Sequence, residues 1–304
     1  WAVNGRNLLG RDALGLYFMV DSADSWGIGA RAFREPAGRF RPMTPEAAGK
    51  LAGLPALAPI RVIESGPVRT VVEMLLACGD SRARLRYFIP AEGSWFDLEL
   101  QLNVRDPDRM LKLDIPGAAR RNQAAGQDIF GRKELRADGG EQVLLDWAAF
   151  RPRQSAAPLW TGVMSDSGYG LDFDGATLRL SLLRTCAYSA MQLPGREILR
   201  SDRLHERCDF GERTIRLRFA ATAELDAMER LAAEFHTTGP ALQFFPAGDG
   251  SADGTPLFSV SAPVVTTGIR LLALPEGRVA EIRLFNPADR ALTAILEFGG
   301  RRAA

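Results

Sequence analysis

The stretch GVMSDSGYGLDFDGATLRLSLLR, residues 162–184, decides the fold class of this chain. Apolar and polar residues alternate over its last third, which places its leucines on one buried face of a strand: Leu178, Leu180 and Leu182. Two tripeptides rich in Asp, Ser and Gly interrupt the stretch, and such residues favour tight reversals: Asp166-Ser167-Gly168 and Phe173-Asp174-Gly175. The stretch therefore predicts an antiparallel meander of three strands.

The strongest strand patterns precede this stretch and lie between residues 60 and 115. Five runs of apolar and β-branched residues occur there, separated by turn signals at a spacing of about ten residues; they are 60–63, 68–77, 81–89, 96–104 and 110–115. No helical period separates these runs. This pattern predicts an antiparallel sandwich or barrel and argues against a parallel βαβ arrangement.

The remaining segments are predicted as follows. Strands are expected at 14–20, with a return strand from the turn at 21–27 up to Phe33, and at 141–150, 158–164 and 214–221. A short helix at 45–54, with Thr44 as its N-cap, is expected within a surface excursion, and an amphipathic helix at 224–236. Residues 120–140 and 191–208 read as irregular. Three closing runs, 264–274, 278–285 and 291–298, predict a second, smaller sheet after a Gly-rich boundary near 246–255.

Composition limits the class of protein. The chain has 304 residues, 46% of them hydrophobic, and a net charge of +1, which suffices for one large domain or two ordinary ones. Its 38 basic residues are offset by 37 acids and form no long run, so nucleic acid is an unexpected partner. The apolar runs are shorter than the roughly 18 residues of a membrane-spanning helix.

The cysteines and the first residue each carry a further expectation. Cys78, Cys186 and Cys208 are odd in number and lack a CxxC spacing, so buried free thiols are expected rather than disulfides or a zinc site. The chain starts with Trp1 in what reads as the middle of a strand pattern, which favours a fragment of a longer polypeptide. The compartment and the oligomeric state stay open.

Several segments, in order along the chain, resemble the C-terminal β-sandwich region of glycoside hydrolase family 38 α-mannosidases. They are 20–27 (VDSADSWG), 64–69 (ESGPVR), 97–116 with Leu111-Lys112-Leu113, Ile129-Phe130-Gly131 followed by Trp147, 169–184, Asp209-Phe210-Gly211 and 282–287 (IRLFNP). The chain departs from that family at Val104, Arg213 and Ile129, where the family commonly has Trp, His and Pro.

The resemblance implies a mainly β fold: a large antiparallel supersandwich of the galactose-mutarotase-like kind over 1–245, then a small β unit over 255–304, with one or two short helices. It also implies the back half of a retaining, zinc-dependent α-mannosidase. In that family the zinc ligands and the carboxylate nucleophile belong to an N-terminal α/β domain of the same polypeptide. Zinc is therefore expected there, with no cofactor or metal in this chain.

No catalytic residue is nominated from this chain itself. Glycoside hydrolysis needs two carboxyl groups about 5–9.5 Å apart, and turn formation explains the nearby acids Asp166, Asp172 and Asp174. The run of His205, Glu206, Cys208 and Asp209 contains metal-ligand types, but neighbours in a strand point to opposite faces. His236 reads as a helix C-terminal residue, so a mutarotase-like histidine acid is disfavoured.

The candidate carbohydrate-binding residues are Trp26, Tyr169 and Arg184. Trp26 and Tyr169 each adjoin a glycine in a turn, where an aromatic ring could stack on a pyranose, whereas most Trp side chains in a sandwich are buried.

Two functions follow from this sequence. One is a non-catalytic part of an α-mannosidase-like hydrolase that borders a mannoside site, and the other is a free-standing carbohydrate-binding or scaffold module. A His-x-Asp metal pair and a carboxylate nucleophile upstream of Trp1 would establish the first.

Overall fold

The computed structural model describes residues 1–21, 24–27, 30–129, 131–155, 158–188, 194, 198–199, 204–237, 239, 258–261, 263–275, 277–298 and 301–303. Contacts divide the chain into two compact units, Trp1–Ala223 and Glu224–Ala304. The boundary predicted near 246–255 lies outside the described residues.

The first unit is built almost entirely of strands. In chain order they are Ala2–Val3 (β1), Arg6–Asn7 (β2), Gly15–Val20 (β3), Pro36–Arg39 (β4), Arg41–Pro42 (β5), Ile60–Ser65 (β6), Arg69–Cys78 (β7), Ser81–Pro90 (β8), Trp95–Val104 (β9), Arg109–Pro116 (β10), Asn122–Asp128 (β11), Gly131–Glu134 (β12), Gln142–Val143 (β13), Trp147–Pro152 (β14), Trp160–Ser165 (β15), Gly170–Phe173 (β16), Thr177–Arg184 (β17) and Gly211–Thr222 (β18). A short helix, Pro45–Leu51 (α1), lies between β5 and β6.

Two large antiparallel sheets form a sandwich. The six-stranded sheet has the order β13-β16-β17-β10-β3-β4, and the ten-stranded sheet has the order β12-β11-β14-β15-β18-β9-β8-β7-β5, with β6 also paired to β7. One core cluster draws leucines, isoleucines and phenylalanines from both sheets, among them Leu16, Leu113 and Leu180 from the first and Leu98, Leu217 and Phe219 from the second. The mainly β, antiparallel sandwich predicted from the sequence is confirmed.

The predicted meander needs a correction. The hairpin of β16 and β17 forms as expected, with Phe173 opposite Leu178. However, β15 belongs to the ten-stranded sheet, where it pairs with β14 and β18, so the turn after it carries the chain from one sheet to the other. The reason is that period-two alternation fixes which face of a strand is buried but not which sheet accepts the strand.

The structure confirms some of the other predicted elements and contradicts others. The five runs between residues 60 and 115 are β6 to β10, and Thr44 caps α1 by accepting a hydrogen bond from the Ala47 N–H at 3.2 Å. The irregular reading of 120–140 is wrong, because β11 and β12 lie there. The return strand expected up to Phe33 does not form in the described residues 30–33, while residues 28 and 29 lie outside the described part; β3 pairs instead with Pro36–Arg39.

The second unit is smaller. It contains Ala227–His236 (α2), Phe258–Val260 (β19), Val265–Leu274 (β20), Gly277–Phe285 (β21), Leu296–Phe298 (β22) and Arg301–Ala303 (β23). The predicted helix forms, starting three residues later than expected. The predicted three-stranded closing sheet is wrong: β20 and β21 form a two-stranded sheet, whereas β22 pairs with β19 and β23.

In the described part of the chain no helix has the length and apolar character needed to cross a membrane.

Candidate functional site

The outer face of the six-stranded sheet, opposite the core, carries an unusual concentration of buried charge. Along β10 and β17 the leucines enter the core, so the alternating residues point outward. Five residues on this face and its covering loop form what we call the outer-face cluster: Asp21, Phe33, Lys112, Asp172 and Arg184. Asp21, Phe33, Lys112 and Asp172 are all less than a tenth exposed.

Lys112 is fully buried in the middle of β10. Its ammonium group donates hydrogen bonds to Glu141, to Asp172 at 2.6 Å and to the Ser181 hydroxyl at 3.1 Å. Because an ammonium group has three N–H donors, these contacts satisfy it completely. A buried charge is tolerated only when it is paired and hydrogen-bonded in this way, so Lys112 anchors the loop of Glu141 to the sheet.

Asp172 connects Lys112 to a second cation. It lies within β16 and is not a turn residue, which corrects the sequence-based interpretation. Its carboxylate accepts a hydrogen bond from Arg179 at 2.5 Å, and Arg179 also binds Asp174 at 2.5 Å. Burial raises the pKa of the neighbouring Asp114, although Arg179 lies 3.7 Å away and opposes that shift.

Of the other two acids assigned to turns, Asp174 does cap its turn. It accepts the backbone N–H groups of Ala176 at 2.9 Å and Thr177 at 2.8 Å. Asp166 instead reaches across to β18, where it binds the backbone and guanidinium N–H groups of Arg216 at 2.8 and 3.0 Å.

Arg184, at the end of β17, holds the loop that follows β3. Its guanidinium binds both carboxylate oxygens of Asp21 at 2.7 Å and the Asp24 carbonyl at 2.8 Å. The hydrogen-bonded Asp21 carboxylate raises the pKa of Arg184. Such a bidentate, charge-assisted pair is strong and geometrically specific, and it fixes the position of the loop backbone.

Trp26 projects from this fixed loop. Its side chain is 75% exposed, while its backbone N–H donates to the Asp24 carboxylate at 3.0 Å. The next residue, Gly27, has a φ of +63°, and a Cβ there would lie 3.2 Å from the Arg184 guanidinium. The loop therefore needs glycine at this position, and it presents an exposed indole from a backbone that Arg184 holds.

Phe33 links the two charged centres. Its ring centroid lies 5.9 Å from the Lys112 amine and 5.4 Å from the Arg184 guanidinium carbon, within the range of cation–π interactions. It packs with Met19 and Met110 in a small apolar cluster on the same outer face. Phe33 therefore covers the sheet between the two cations.

The structure brings two of the three predicted site residues together. Arg184 binds the loop that carries Trp26, whereas no described hydrogen bond, ion pair or ring contact joins Tyr169 to either residue. Tyr169 is 68% exposed and precedes β16, whose first residue Gly170 lies opposite Ser181. The register thus places Tyr169 toward the end of β17 where Arg184 lies. Trp147 and Trp160 are buried, as expected for most Trp in a sandwich.

The metal-like run near Cys208 is engaged in other contacts. Asp209 accepts hydrogen bonds from Arg213 and, at 3.3 Å, from the Arg184 backbone N–H. Burial raises the pKa of the nearby Cys186 thiol to about 11, which disfavours the thiolate a metal would need. Cys78, Cys186 and Cys208 are free thiols. Within the described ranges, no group of three His, Cys, Asp or Glu side chains could hold a metal ion.

Sequence reasoning missed Phe33, Lys112 and Glu141. A usable signal was present for Lys112, the single charged residue between two core leucines in Leu111-Lys112-Leu113. A lysine at such a position requires a buried partner on the outer face. Nothing in the local sequence of Phe33 or Glu141 indicates that they cover the same sheet.

These features define the structural class of the protein as an antiparallel β-sandwich domain with a charged outer face that a loop covers. Residues 38–192, just over half of the chain, match the family described as glycosyl hydrolases family 38 C-terminal domain. The chain belongs to this family. No curated protein sequence matches it.

Two solved structures from Enterococcus faecalis share the fold. One is described as a protein in the glycosyl hydrolase family 38, with a TM-score of 0.70, 10% identity and 96% of this chain covered. The other is described as an alpha-mannosidase, with a TM-score of 0.69, 11% identity and 96% covered. The aligned region is 36% and 35% of those chains, so this chain spans about a third of their length. At these identities the likeness shows the fold alone.

Proposed function

We propose that this chain is the C-terminal, non-catalytic β-sandwich of an α-mannosidase-like glycoside hydrolase, and that Trp26 borders a carbohydrate site completed by an N-terminal catalytic domain of the same polypeptide. Membership of the family supports the enzyme context. The description of one similar structure as an alpha-mannosidase suggests the substrate class.

The observation that carries this proposal is the geometry of Trp26. Its indole is 75% exposed, yet its loop is fixed by the pair of Arg184 with Asp21. An aromatic side chain on a fixed backbone offers a sugar ring contact area at low entropic cost. The structural alternative, an indole that fills the core, does not apply to a side chain so exposed.

A non-catalytic role is supported by the state of the carboxylates in the outer-face cluster. A glycosidase needs one carboxyl group as acid and another as nucleophile or base, with the scissile bond between them. Asp21 is buried and holds Arg184, and Asp172 is buried and holds both Lys112 and Arg179. Neither is available to a substrate. The zinc implied by the family resemblance belongs, in this proposal, to the catalytic domain.

Saturation-transfer NMR with methyl α-mannoside tests the Trp26 surface. We expect transfer from the chain to the sugar, reduced several-fold in Trp26→Ala. The matched control is Val68→Ala, which removes an apolar side chain of similar exposure, 77%, from a different turn. Equal transfer to the sugar in both variants would refute a sugar contact at Trp26.

The alternative, a free-standing carbohydrate-binding module, is distinguished by affinity. The sandwich has its own closed core, so it can hold the Trp26 loop without another domain. A rim that supplies one wall of a site should bind methyl α-mannoside no tighter than millimolar, about −4 kcal/mol. Micromolar binding by the chain alone in isothermal titration would favour the module.

A further inference from the structure

A second polar surface lies on the outer face of the ten-stranded sheet, away from the outer-face cluster. A cavity of about 400 Å³ opens there, bordered by α1 and by β6, β7, β8, β9 and β18. The polar residues that line it on the last three strands are Arg82, Arg84, Gln101, Asn103, Glu212, Arg213 and Thr214.

Strand register arranges six of these side chains, all except Arg213, in two adjacent rows. Arg84 lies opposite Gln101, which lies opposite Thr214. One step along, Arg82 lies opposite Asn103, which lies opposite Glu212. Directly opposed residues are about 4.5–5.5 Å apart, so both rows lie within reach of one small ligand.

The next row along the sheet, whose Glu73 and Arg61 also line the cavity, is already neutral. Glu73 binds Arg61 and also Arg86, the latter at 2.9 Å, and Arg86 in turn lies 3.9 Å from Glu99. Acids and guanidinium groups therefore alternate in that row. It needs no outside partner.

The two rows that contain Arg82 and Arg84 are different. Among the described residues, neither Arg82 nor Arg84 has a carboxylate within ion-pair distance. Arg82 donates to the carbonyls of Gly79 and Ser81 at 2.9 and 2.8 Å. Arg84 donates to the Gln101 side chain, and its Nε is buried without an acceptor. Two guanidinium groups thus face one cavity without a counter-charge of their own.

The rest of the lining consists of three charged residues that already have partners, Arg61 with Glu73 and Arg213 with Asp209, and of an aliphatic wall. Ala48 and Leu51 of α1 and Leu75 of β7 line the cavity beside the two rows, and the described lining includes no aromatic ring. Recognition here would rest on hydrogen bonds and charge rather than on stacking. Amide, hydroxyl and guanidinium groups beside an apolar wall suit a hydroxylated ligand that also carries an anionic group.

We propose that this cavity binds a small polyhydroxylated anion, whose phosphate or carboxylate group pairs with Arg82 and Arg84 and whose hydroxyl groups bond to Gln101, Asn103 and Thr214. This site is independent of the proposed contact at Trp26. Glu212, the single acid in the two rows, limits the charge that the cavity accepts.

Isothermal titration of the full chain tests the proposal with three probes: glucose 6-phosphate, glucuronate and glucose. We expect at least one anion to bind about tenfold more tightly than glucose, and the comparison between the two anions identifies the preferred group. Arg84→Met should weaken that binding about tenfold, the loss expected for one charge-assisted contact. Arg82, whose guanidinium binds only the carbonyls of Gly79 and Ser81, provides a second test, and Arg82→Met should also weaken anion binding.

Two further variants sharpen the result. Arg216→Met removes an arginine of the same sheet that does not line the cavity, and anion affinity should not change. Glu212→Gln removes the competing acid and should tighten anion binding about two- to fourfold. Three results would each overturn the proposal: glucose binding as tight as the tighter-binding anion, unchanged anion affinity in folded Arg84→Met and Arg82→Met, or no binding of any probe.

Discussion

Lys112 and Arg184 look alike in the sequence, as isolated cations next to leucines in strands, but their side chains act differently. The Lys112 amine is completely enclosed by Glu141, Asp172 and Ser181. Arg184 is 22% exposed and reaches beyond the sheet to a loop. At the level of single residues, Lys112 therefore stabilises the sandwich, whereas Arg184 positions the surface that we assign to the carbohydrate.

Lys112→Met should destabilise the protein strongly. The substitution leaves Asp172 and Glu141 without the Lys112 charge. Removing one partner of a buried ion pair lowers the free energy of unfolding by about 3–5 kcal/mol. Lys133→Met is the matched control, because its amine pairs with Asp128 at 3.3 Å near the surface and such pairs contribute about 0–1 kcal/mol. Urea unfolding measures both. A loss below 1 kcal/mol in Lys112→Met would contradict the burial of its charge.

Gly27→Ala tests how tightly Arg184 holds the Trp26 loop. Gly27 and Gly53 have similar φ values, +63° and +68°, so alanine is strained by about 1–2 kcal/mol at either site. Only at Gly27 would the new Cβ also meet the Arg184 guanidinium. We expect Gly27→Ala to lower the free energy of unfolding more than Gly53→Ala does. Equal losses in urea unfolding would show that the loop does not depend on this close approach.

At the scale of elements, the alternation of Leu178 and Leu180 predicted β17 and its buried face correctly. It could not show that β15 and β16 belong to different sheets, because alternation carries no information on the partner strand. The sequence also concealed β11, whose Asn122, Ala124 and Gly126 lack the β-branched side chains typical of strands. That strand forms because β12 and β14 pair with it on both sides.

The candidate site was likewise predictable only in its local features. Trp26 and Tyr169 stood out as aromatic residues beside glycines, and both are exposed. The pairing of Arg184 with Asp21 joins residues 163 positions apart, and only the packing of β3, β10 and β17 in one sheet brings them together. Local sequence does not contain that information.

The β16–β17 hairpin gives a pH-dependent prediction through Asp174. Burial opposes the shift, but hydrogen bonds from Thr177, Ala176 and Arg179 lower the pKa of Asp174 below its ordinary value of 3.8. A lowered pKa adds stability above pH 3.8, and this stability is lost as pH falls through the folded-state pKa. Asp174→Asn should therefore be less stable than the natural protein at pH 7.

The deficit of Asp174→Asn should narrow as the pH falls below 3.8. Urea unfolding of both proteins across this pH range gives the difference directly. A difference that stays constant with pH would mean that the Asp174 charge does not support the turn.

At the scale of the whole molecule, the main core cluster lies entirely within the first unit, from Leu9 to Phe219. We therefore expect a polypeptide of residues 1–223 to fold into the sandwich and unfold cooperatively, measured by circular dichroism and urea. Leu113→Ala, a fully buried position in that core, should cost about 2–5 kcal/mol in this shorter chain as in the longer one. A non-cooperative transition would mean that the sandwich requires the second unit.

The proposed function concerns the molecule as a whole: a family 38 C-terminal sandwich that borders a sugar site without performing the chemistry. Turnover of an aryl α-mannoside by the purified chain, with zinc supplied, tests this claim most directly. The account predicts no hydrolysis above the uncatalysed rate. Saturable, sustained hydrolysis by this chain alone would contradict it.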